Sequence, residues 1–580
     1  MRYWRALMYF REELTVGQAR SISLDTLAQR LACTRRNAQI VIKKLVEEGW
    51  ISWQPGVGRG NLPTICLKKP VDSVLKQEAL SLLAQHQVER ATALVSEPQR
   101  QGLLAEYLAG CRRSDNRSGN RSDNRAIPQQ EQSDVLRIPF YRGIHDLDAV
   151  QLSRRTEVHL GSYLYAGLLQ RDPDSGRIHG DLAAHWERIG NDWHITLRKG
   201  LTFHDGSPLD ALAVQAHFAR LQASDSSNRR LFECIKAVEV LAPLRLKLTT
   251  NATAGFIPTL LTQKAAGISK VSRDGSILGA GAFRLDEHTE WLTRLSAFEQ
   301  YHGYRPWLDA VEIWNIGDQA MDFEVSSDVV HPWLVPGQTT PFSQLESWEK
   351  GCEYALLNEN RAGWMAVPAH RLRLSAFIRQ LPLPAVMVPA DYRVAKGMLQ
   401  SELSCHHTGV AVDFSDLPAP DAPLSVLTYQ LRDHIALAEQ LAAALNAAGI
   451  PATCCVETFP DFNQAERLAQ ADIIISGEVF GEDAELSWME WLKASTALAV
   501  CLQPQQQTRL LRELETVFLS DNLAERLDKF QEIEQWLVDI GIYRPLWQNR
   551  QQLNVRSHLN GVSLLANGWI DFSRVVFSSP

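Results

Sequence analysis

Apolar residues near the amino terminus recur with the period of two short helices. The first face carries four apolar residues spaced i, i+3, i+4 and i+7: Leu24, Leu27, Ala28 and Leu31. Ser23 stands where an N-cap is expected, and positions 32–34 leave room only for a tight turn. The second helix runs to about Glu48, and its apolar face consists of Ala38, Val41, Ile42 and Leu45. Together the two patterns predict a helix-turn-helix.

The pattern changes from helical to strand-like immediately after Gly49. Positions 50–54 and 62–67 predict two short strands, and the glycine-rich tip between them carries one cation, Arg59. A further helix is predicted over 3–13, ahead of the helix-turn-helix. We therefore expect residues 1–70 to form a winged helix-turn-helix domain.

The outer face of the second helix and the wing tip carry polar and basic side chains. Arginine can bond guanine O6 and N7 in the major groove, and asparagine or glutamine can bond adenine N6 and N7. The threonine that precedes this helix is placed to cap it. The predicted DNA-binding residues are Thr34, Arg35, Arg36, Asn37, Gln39, Lys43 and Arg59.

The distribution of charge supports this assignment. Residues 1–70 contain 12 Lys and Arg against 5 Asp and Glu, a net charge of +7, whereas the whole chain carries −8. The remaining residues therefore carry −15. A basic module on an acidic body indicates that nucleic-acid contact occurs at one end of the chain. The alternative is an ordinary helical pair with a solvated charged face, and the wing and the charge argue against it.

Downstream of this module the sequence pattern changes twice, at about residues 111 and 135. Helical spacing over 71–110 predicts two connecting helices, separated at Pro98. Residues 111–134 are poor in apolar side chains and nearly repeat Ser-Asp-Asn-Arg, which predicts a flexible linker. From Val135 strands alternate with amphipathic helices. In the second half, a strand over 424–429, a helix over 433–448 and a strand over 452–456 predict a β-α-β unit.

The motifs between 135 and 325 resemble those of the family-five extracytoplasmic solute-binding proteins of peptide and nickel uptake systems. The residues that carry the resemblance are 164–168 (LYAGL), 180–187 (GDLAAHWE), 197–206 (LRKGLTFHDG) and 279–285 (GAGAFRL). The resemblance implies a two-lobed, periplasmic-binding-protein-like fold of class II, the peptide- and nickel-binding type. We expect lobe I at about 135–345 and 541–580 and lobe II at about 346–540, with a ligand in the cleft between them.

A solute-binding-like domain behind a winged helix resembles the SgrR family of bacterial transcriptional regulators. This similarity rests on the turn at 33–36, the wing glycines at 58–60, the strand at 138–142 and the closing segment at 567–572. It implies a cytoplasmic DNA-binding protein that senses a small metabolite, such as a sugar phosphate. The expected fold is an α/β multidomain chain with a winged helix (1–70), a helical connector (71–110), a linker (111–134) and a sensor (135–580).

Three residues are candidates for the ligand cleft. Tyr141 and Arg142 end the first sensor strand, and Trp364 follows the predicted crossing strand; packing or surface roles are the alternative for each. In the peptide-binding relatives, an acidic residue in a Trp-x-Ala-Asp-Tyr-like stretch meets the amino group of the ligand. The comparable segment here, 476–483, reads SGEVFGED and lacks that tryptophan and an aspartate in register. The resemblance therefore does not imply peptide binding.

Neither catalysis nor a metal centre is indicated. His204 and Asp205 have the composition of a dyad, but they lie in a predicted turn without a nucleophile nearby. His406 and His407 lack a second ligand pair at metal spacing, and no cofactor motif occurs. No apolar run reaches the roughly 20 residues of a membrane helix. Nine cysteines without a C-x-x-C spacing fit a reducing compartment.

The sequence thus predicts a cytoplasmic transcriptional regulator that is neither an enzyme nor a membrane protein. Its expected partners are double-stranded promoter or operator DNA and a small-molecule effector. A monomer and a homodimer are both compatible with the pattern. The alternative is a solute- or peptide-binding component of an ABC transport system without a DNA-binding role.

Overall fold

The computed structural model describes most of the chain. The described ranges are 2–56, 61–115, 134–172, 175–251, 255–317, 324–325, 327–330, 335–336, 342–400, 412–520 and 522–578. The wing-tip residue Arg59, positions 116–133 of the predicted linker, and the neighbours His406 and His407 lie outside these ranges. Within them, no helix combines the length and apolar character needed to cross a bilayer.

The first 70 residues form a three-helix module with a small sheet. Its elements are α1 (Arg2–Glu13), β1 (Ala19–Ser21), α2 (Leu24–Arg30), α3 (Arg35–Glu47), β2 (Ile51–Gln54) and β3 (Thr64–Leu67). The strands are antiparallel in the order β1-β3-β2. The predicted winged helix-turn-helix is confirmed. Strand β1 was not predicted, because its three residues are all exposed and show no alternation of apolar and polar positions.

Local chemistry fixes both helices of the helix-turn-helix. The Ser23 hydroxyl accepts a hydrogen bond from the Thr26 amide at 2.9 Å, and the Thr34 hydroxyl accepts one from the Asn37 amide at 3.3 Å. Each bond satisfies a helix-terminal N–H that has no partner within the helix. Gly49 follows α3 with a φ of +72°, a conformation that glycine adopts without strain.

The connector contains three helices where two were predicted: α4 (Asp72–Leu83), α5 (Val88–Thr92) and α6 (Glu97–Asp115). The chain breaks after α4 at His86, whose φ is +55°. Pro98 lies in the first turn of α6, where its missing N–H costs no hydrogen bond, so it starts a helix and interrupts none. Helix α6 continues to Asp115, and the first five residues of the predicted linker are therefore helical.

The sensor begins with strands and helices that belong mainly to lobe I. They are β4 (Val135–Phe140), α7 (Arg155–Leu164), β5 (Leu169–Arg171), β6 (Ile178–Gly180), β7 (Ala183–Ile189), β8 (Asp192–Leu197), α8 (Ala211–Ala223), α9 (Arg229–Phe232), β9 (Ile235–Ala242), β10 (Arg245–Thr250), α10 (Phe256–Leu260), β11 (Lys270–Val271), β12 (Ile277–Leu278), β13 (Phe283–His288), β14 (Leu292–Ala297), β15 (Ala310–Asn315), β16 (Glu324–Val325), β17 (Val329–Val330) and β18 (Val335–Pro336). Two four-stranded sheets, β13-β14-β15-β4 and β7-β8-β10-β9, form this lobe.

The second half of the sensor supplies lobe II and the carboxyl-terminal return. Its elements are β19 (Phe342–Trp348), β20 (Gly351–Leu357), α11 (Pro368–Gln380), β21 (Tyr392–Val394), β22 (Leu424–Tyr429), α12 (Arg432–Ala447), β23 (Ala452–Glu457), α13 (Phe459–Phe462), α14 (Ala465–Ala469), β24 (Ile473–Val479), α15 (Ala484–Met489), α16 (Thr496–Cys501), α17 (Pro504–Val517), α18 (Leu523–Asp539), β25 (Tyr543–Arg556), β26 (Leu559–Asn560) and β27 (Val576–Phe577). Strands β22, β23 and β24 run parallel, and α12 joins the first two. This is the predicted β-α-β unit.

A single strand of 14 residues, β25, passes from one lobe to the other. Its first half pairs with β20 of lobe II, and its second half pairs with β19 and β17. Such a strand spans roughly 46 Å at about 3.3 Å per residue, enough to cross between lobes. Two predicted limits therefore shift: the boundary at 345 falls inside β19, and the lobe I return at 541 begins with lobe II pairing.

The hydrophobic core of the winged module extends beyond the module. It includes buried residues of the connector helices and three buried residues from the edge of lobe I: Leu292, Trp314 and Ile316. The Tyr107 ring of α6 lies 5.4 Å from that of Trp314, centroid to centroid. The connector therefore packs the winged module directly on the β14-β15 pair of lobe I.

Candidate functional site

Helix α3 turns its apolar face inward and its polar face to solvent. Ala38, Val41, Ile42 and Leu45 are buried in the module core, as the sequence pattern predicts. On the opposite side Arg36, Gln39 and Lys43 are exposed, and Asn37 is half-buried. This arrangement leaves one face of α3 open to a partner.

The structure assigns different roles to the predicted DNA-binding residues. The Thr34 side chain caps α3, and the Arg35 guanidinium lies 3.3 Å from Asp25 of α2. Lys43 lies 3.8 Å from Glu47, one turn further along the same helix. Both ion pairs are exposed and hold their cations weakly. Among the described candidates, Arg36, Asn37 and Gln39 have no such ion pair, and base contact by these three residues stays a prediction.

A buried carboxylate of lobe I lies beneath the connector. Glu312 of β15 is fully buried and accepts hydrogen bonds from Arg137 Nε at 3.2 Å and Trp314 Nε1 at 3.1 Å. Arg294 forms a second ion pair with it, and His86 of the connector lies 4.0 Å away. Buried charge that is paired on several sides fixes the geometry at this junction.

The carboxyl ends of three parallel strands meet at one edge of lobe II. Tyr429 ends β22, Phe459 follows β23, and Glu478 stands at the end of β24. In open sheets with parallel strands, ligands bind in the crevice outside these ends. Burial and the nearby Glu490 raise the pKa of Glu478 to about 8. The edge therefore combines aromatic walls with an acidic group that is readily protonated.

Lobe I faces this edge with Arg154, at the N-terminus of α7. Its guanidinium lies 4.3 Å from the centroid of the Phe459 ring, so the contact joins the two lobes. The Nη1 atom is buried and has no hydrogen-bond partner among the described residues. Burial and Arg142 lower the pKa of Arg154. A guanidinium with an unsatisfied buried donor suits an anionic or strongly accepting ligand group.

Tyr141 and Arg142 do lie near this edge, but they differ in availability. The Arg142 guanidinium forms a bidentate pair with Glu157, at 2.8 and 3.1 Å, and also donates to the Gly143 carbonyl at 2.9 Å. Burial opposes ionisation of Glu157, yet the hydrogen bonds from Arg142 leave its pKa lowered. The Arg142 guanidinium also lies over the aromatic rings of Phe140 and Tyr141. Arg142 therefore orients this wall of the site and is not available as a direct ligand anchor.

The prediction that Trp364 lines the cleft is wrong. Its side chain is buried in the core of lobe II, packs against His370 and Phe414, and donates from Nε1 to the Pro418 carbonyl at 2.8 Å. An aromatic residue after a strand has the same sequence signature in a core and in a cleft. Sequence reasoning missed Tyr429 and Arg154. Tyr429 could have been found as the last residue of a strand in the predicted β-α-β unit, whereas nothing local shows that Arg154 faces that strand end.

Polar contacts hold lobe I against lobe II beyond this edge. Gln263 donates to Glu490 at 3.1 Å, and Arg171 lies 2.5 Å from Asp483. Burial raises the pKa of Glu490 to about 7 and lowers the pKa of Lys264 beside it. These groups lose water where the two lobes meet, so their protonation depends on the contact between the lobes.

The His204–Asp205 pair forms the predicted turn. His204 Nε2 lies 3.2 Å from the Gly281 carbonyl, and burial lowers the pKa of His204 to about 4. The Asp205 carboxylate accepts from the Ser207 amide at 3.0 Å and lies 3.0 Å from Lys270. These bonds stabilise the turn and do not align the two side chains as a dyad.

Two family models match this chain. Residues 3–115 match the model described as sugar transport-related sRNA regulator N-term. Residues 177–331 match the model described as bacterial extracellular solute-binding proteins, family 5 Middle. The first covers the winged module with its connector, and the second covers a large part of lobe I.

Known proteins share this architecture at low identity. Protein YbaE of Escherichia coli is 23% identical over 98% of this chain and 97% of its own, and the HTH-type transcriptional regulator SgrR of Yersinia enterocolitica is 25% identical over 97% and 96%. The oligopeptide-binding protein AppA of Bacillus subtilis, solved with a nonapeptide, covers 77% of this chain and 99% of its own with a TM-score of 0.61 at 13% identity. The predicted fold class is thereby confirmed. The chain is similar over nearly its whole length to SgrR-type regulators, and it carries an SgrR N-terminal domain ahead of a family 5 solute-binding domain.

Proposed function

We propose that this chain is a transcriptional regulator whose binding to promoter or operator DNA responds to a small-molecule effector held between lobes I and II. The observation that carries the proposal is the hydrophobic core that runs from the winged module through the connector into lobe I. Because packed cores transmit displacement, the module follows lobe I when the lobes move. Because bacterial DNA lies in the cytoplasm, the proposed site of action is cytoplasmic.

The DNA end of the proposal rests on α3 and on charge. Its open face presents Arg36, Asn37 and Gln39 beside the turn, as a recognition helix in a major groove does. The net charge of +7 over residues 1–70 supplies phosphate attraction. Relatives named HTH-type transcriptional regulator SgrR support the same assignment. One module on one site and a homodimer on a pseudo-palindrome are both compatible, and the length of the bound site distinguishes them.

The effector end rests on the strand edge of lobe II. Arg154 of lobe I contacts Phe459 of lobe II, and Tyr429 interacts electrostatically with Arg154 and Tyr141 across the lobes and with Glu478 of its own lobe, so a ligand there touches both lobes. Only a difference in effector affinity between the open and closed arrangements can drive the switch. An effector that bridges the two walls favours closure, and closure changes the angle between lobe II and the rest of the molecule.

Selection from random duplexes tests the DNA-binding function. The full-length protein is incubated with a library of random duplexes at an ionic strength of about 0.15 M, and bound duplexes are amplified and sequenced. We expect an enriched sequence bound at least about 10³-fold more tightly than unselected DNA. Failure to enrich any sequence, with and without a cell extract as a source of effector, would contradict the proposal.

A thermal-shift screen tests the effector site. Phosphosugars, sugars and short peptides are added singly to the full-length protein, and a ligand at 100 times its dissociation constant adds about 2.7 kcal/mol to the free energy of unfolding. The Arg154→Ala variant should lose the shift given by a true effector. The Arg188→Ala variant, which removes an exposed cation from β7, should keep it.

A solute-binding component of a transport system is the alternative that the fold itself favours, since AppA shares the architecture of the sensor. It predicts the same ligand shift in the thermal screen. It predicts no enriched duplex, however, because a docking segment for a transporter has no reason to discriminate bases. The two experiments together therefore separate the alternatives.

A further inference from the structure

An apolar residue stands in the middle of the polar face of α3. The Ile40 side chain is 58% exposed, although isoleucine is among the residue types most often buried. It lies four residues after Arg36 and three before Lys43, so the three side chains share one helical face. The apolar residues that build the module core, such as Ala38 and Val41, lie on the opposite face.

The surroundings of Ile40 define what can cover it. The same helix carries Arg35, Arg36, Lys43 and Lys44, against a single acidic residue, Glu47. An apolar protein surface placed here would have to desolvate Arg36 and Lys43. A duplex offers phosphates for the cations and, in the major groove, an apolar group at the level of the bases. That group is the C5-methyl of thymine.

We infer that Ile40 packs against the 5-methyl group of a thymine in the major groove and thereby specifies a thymine at one position of the bound site. The inference rests on the proposed DNA-binding function, and it specifies the identity of one base in the bound sequence. Ile40 stands about 6 Å further along the helix axis than Arg36, at about 1.5 Å per residue. The thymine is therefore a different base from the one that Arg36 contacts.

Contact with the methyl group discriminates thymine from every other base. Cytosine at this place presents its N4 amino group, which would lose water against an alkyl chain and gain no acceptor. Adenine and guanine present polar edges with the same consequence. Deoxyuridine keeps the base pairing of thymine and lacks only the methyl group, so it isolates the contact with Ile40.

The test uses the duplex that the full-length protein enriches from the random library. Each thymine is replaced in turn by deoxyuridine, and dissociation constants are measured by fluorescence anisotropy for the wild type and for Ile40→Ala. We expect one thymine per bound module whose replacement weakens wild-type binding about fourfold, the value of one buried methyl group. Ile40→Ala should bind the thymine duplex correspondingly less tightly and should not distinguish thymine from deoxyuridine there.

Two further variants control the experiment. Val46→Ala truncates another exposed apolar residue of α3, near its C-terminal end, and should keep the full deoxyuridine penalty. Ile40→Leu retains an alkyl chain and should keep most of it. Because Ile40 is largely exposed, Ile40→Ala should unfold at the wild-type temperature, which separates lost contact from lost fold.

The outcomes distinguish this inference from the function on which it rests. If no duplex is enriched, the DNA-reading function fails. If a duplex is enriched but no deoxyuridine weakens binding, the function stands and the role of Ile40 is wrong. If the penalty persists in Ile40→Ala, another side chain contacts the methyl group and the inference is likewise overturned.

Discussion

At the scale of single residues, α3 separates side chains that stabilise the module from those that face a partner. Thr34 caps the helix and Arg35 pairs with Asp25, whereas Arg36 is exposed on the face opposite the module core. We expect Arg36→Ala to weaken binding to the enriched duplex by about 1 to 3 kcal/mol and to relax base preference at one position. Fluorescence anisotropy against a set of single-base variants measures both effects.

Two substitutions calibrate that result. Lys43→Ala removes a cation suited to a phosphate, and it should weaken binding to all sequences alike and lower the salt dependence of the affinity. Arg188→Ala, far along the chain in β7, should change neither quantity. Unchanged affinity and unchanged preference in Arg36→Ala would show that a different face of α3 meets the DNA.

Glu478 gives the sensor a predictable dependence on pH. Its pKa is raised to about 8 by burial and by Glu490, while an unfolded chain titrates a glutamate near its ordinary value of 4.5. The folded protein therefore binds a proton that the unfolded chain releases. Stability from this group is complete below pH 4.5 and is lost as the pH rises toward 8, by at most about 1.4 kcal/mol per pH unit.

The Glu478→Gln variant tests this account. Glutamine keeps the shape and stays neutral, so its melting temperature should fall less steeply between pH 5 and 8 than that of the wild type. Glu466→Gln, which changes an exposed glutamate of α14, should reproduce the wild-type slope. Equal slopes in all three proteins would mean that Glu478 is solvated and does not belong to a closed edge between the lobes.

At the scale of elements, Glu312 holds together the charged cluster of lobe I on which the connector packs. Glu312→Gln removes the charge that Arg137 and Arg294 compensate, and leaves both guanidinium groups without their buried partner. We expect a loss of about 3 kcal/mol in the free energy of unfolding, measured by urea titration of the full chain. The matched control is Glu299→Gln, because that carboxylate pairs with Arg305 on the surface.

The control substitution should change stability by no more than about 0.5 kcal/mol. Both variants replace glutamate by glutamine beside an arginine in lobe I, so they differ mainly in burial. If Glu312→Gln is as stable as Glu299→Gln, the charged cluster contributes nothing to the junction. The shared apolar core would then have to hold the connector alone.

Elements with strong periodicity could be predicted from sequence, and their partners could not. Strand β22 occupies the predicted 424–429, and α12 differs from its predicted limits by one residue at each end, because alternation and a glycine stop are local signals. The crossing of β25 is beyond such signals, because nothing in the strand's own sequence states that its first half pairs with β20 and its second half with β19. The α6 pattern likewise shows an apolar face without showing that Trp314 of lobe I covers it.

The same limit explains the mixed result at the effector site. The sequence indicates Tyr141 and Arg142 because they end a strand, and strand ends do reach the edge between the lobes. The pairing of Arg142 with Glu157, 15 residues away, cannot be read from either residue alone. Glu478 is a neighbour of Tyr429 because β24 pairs with β22, and Arg154 comes near Tyr429 only because lobe I lies against lobe II. Neither proximity can be read from a single segment.

At the scale of the whole molecule, the shared core makes DNA binding and sensor stability one linked quantity. Of the 16 tryptophans, only Trp4, Trp50 and Trp53 lie in the winged module, so tryptophan fluorescence reports mainly on the sensor. A duplex present at 100 times its dissociation constant for the folded module adds about 2.7 kcal/mol to the free energy of unfolding of every part that unfolds together with the module. We therefore expect the enriched duplex to raise the temperature at which the sensor tryptophans report unfolding.

Loosening the junction should break this linkage. Tyr107→Ala removes the α6 ring that packs against Trp314, whereas Tyr304→Ala makes the same change at a side chain that is 99% exposed. In Tyr107→Ala the duplex should still bind, but the tryptophan transition should no longer move with it; Tyr304→Ala should behave as the wild type. A wild-type tryptophan transition that ignores bound duplex would show that the module unfolds independently of lobe I. In that case the packed connector could not transmit a displacement of the lobes to α3.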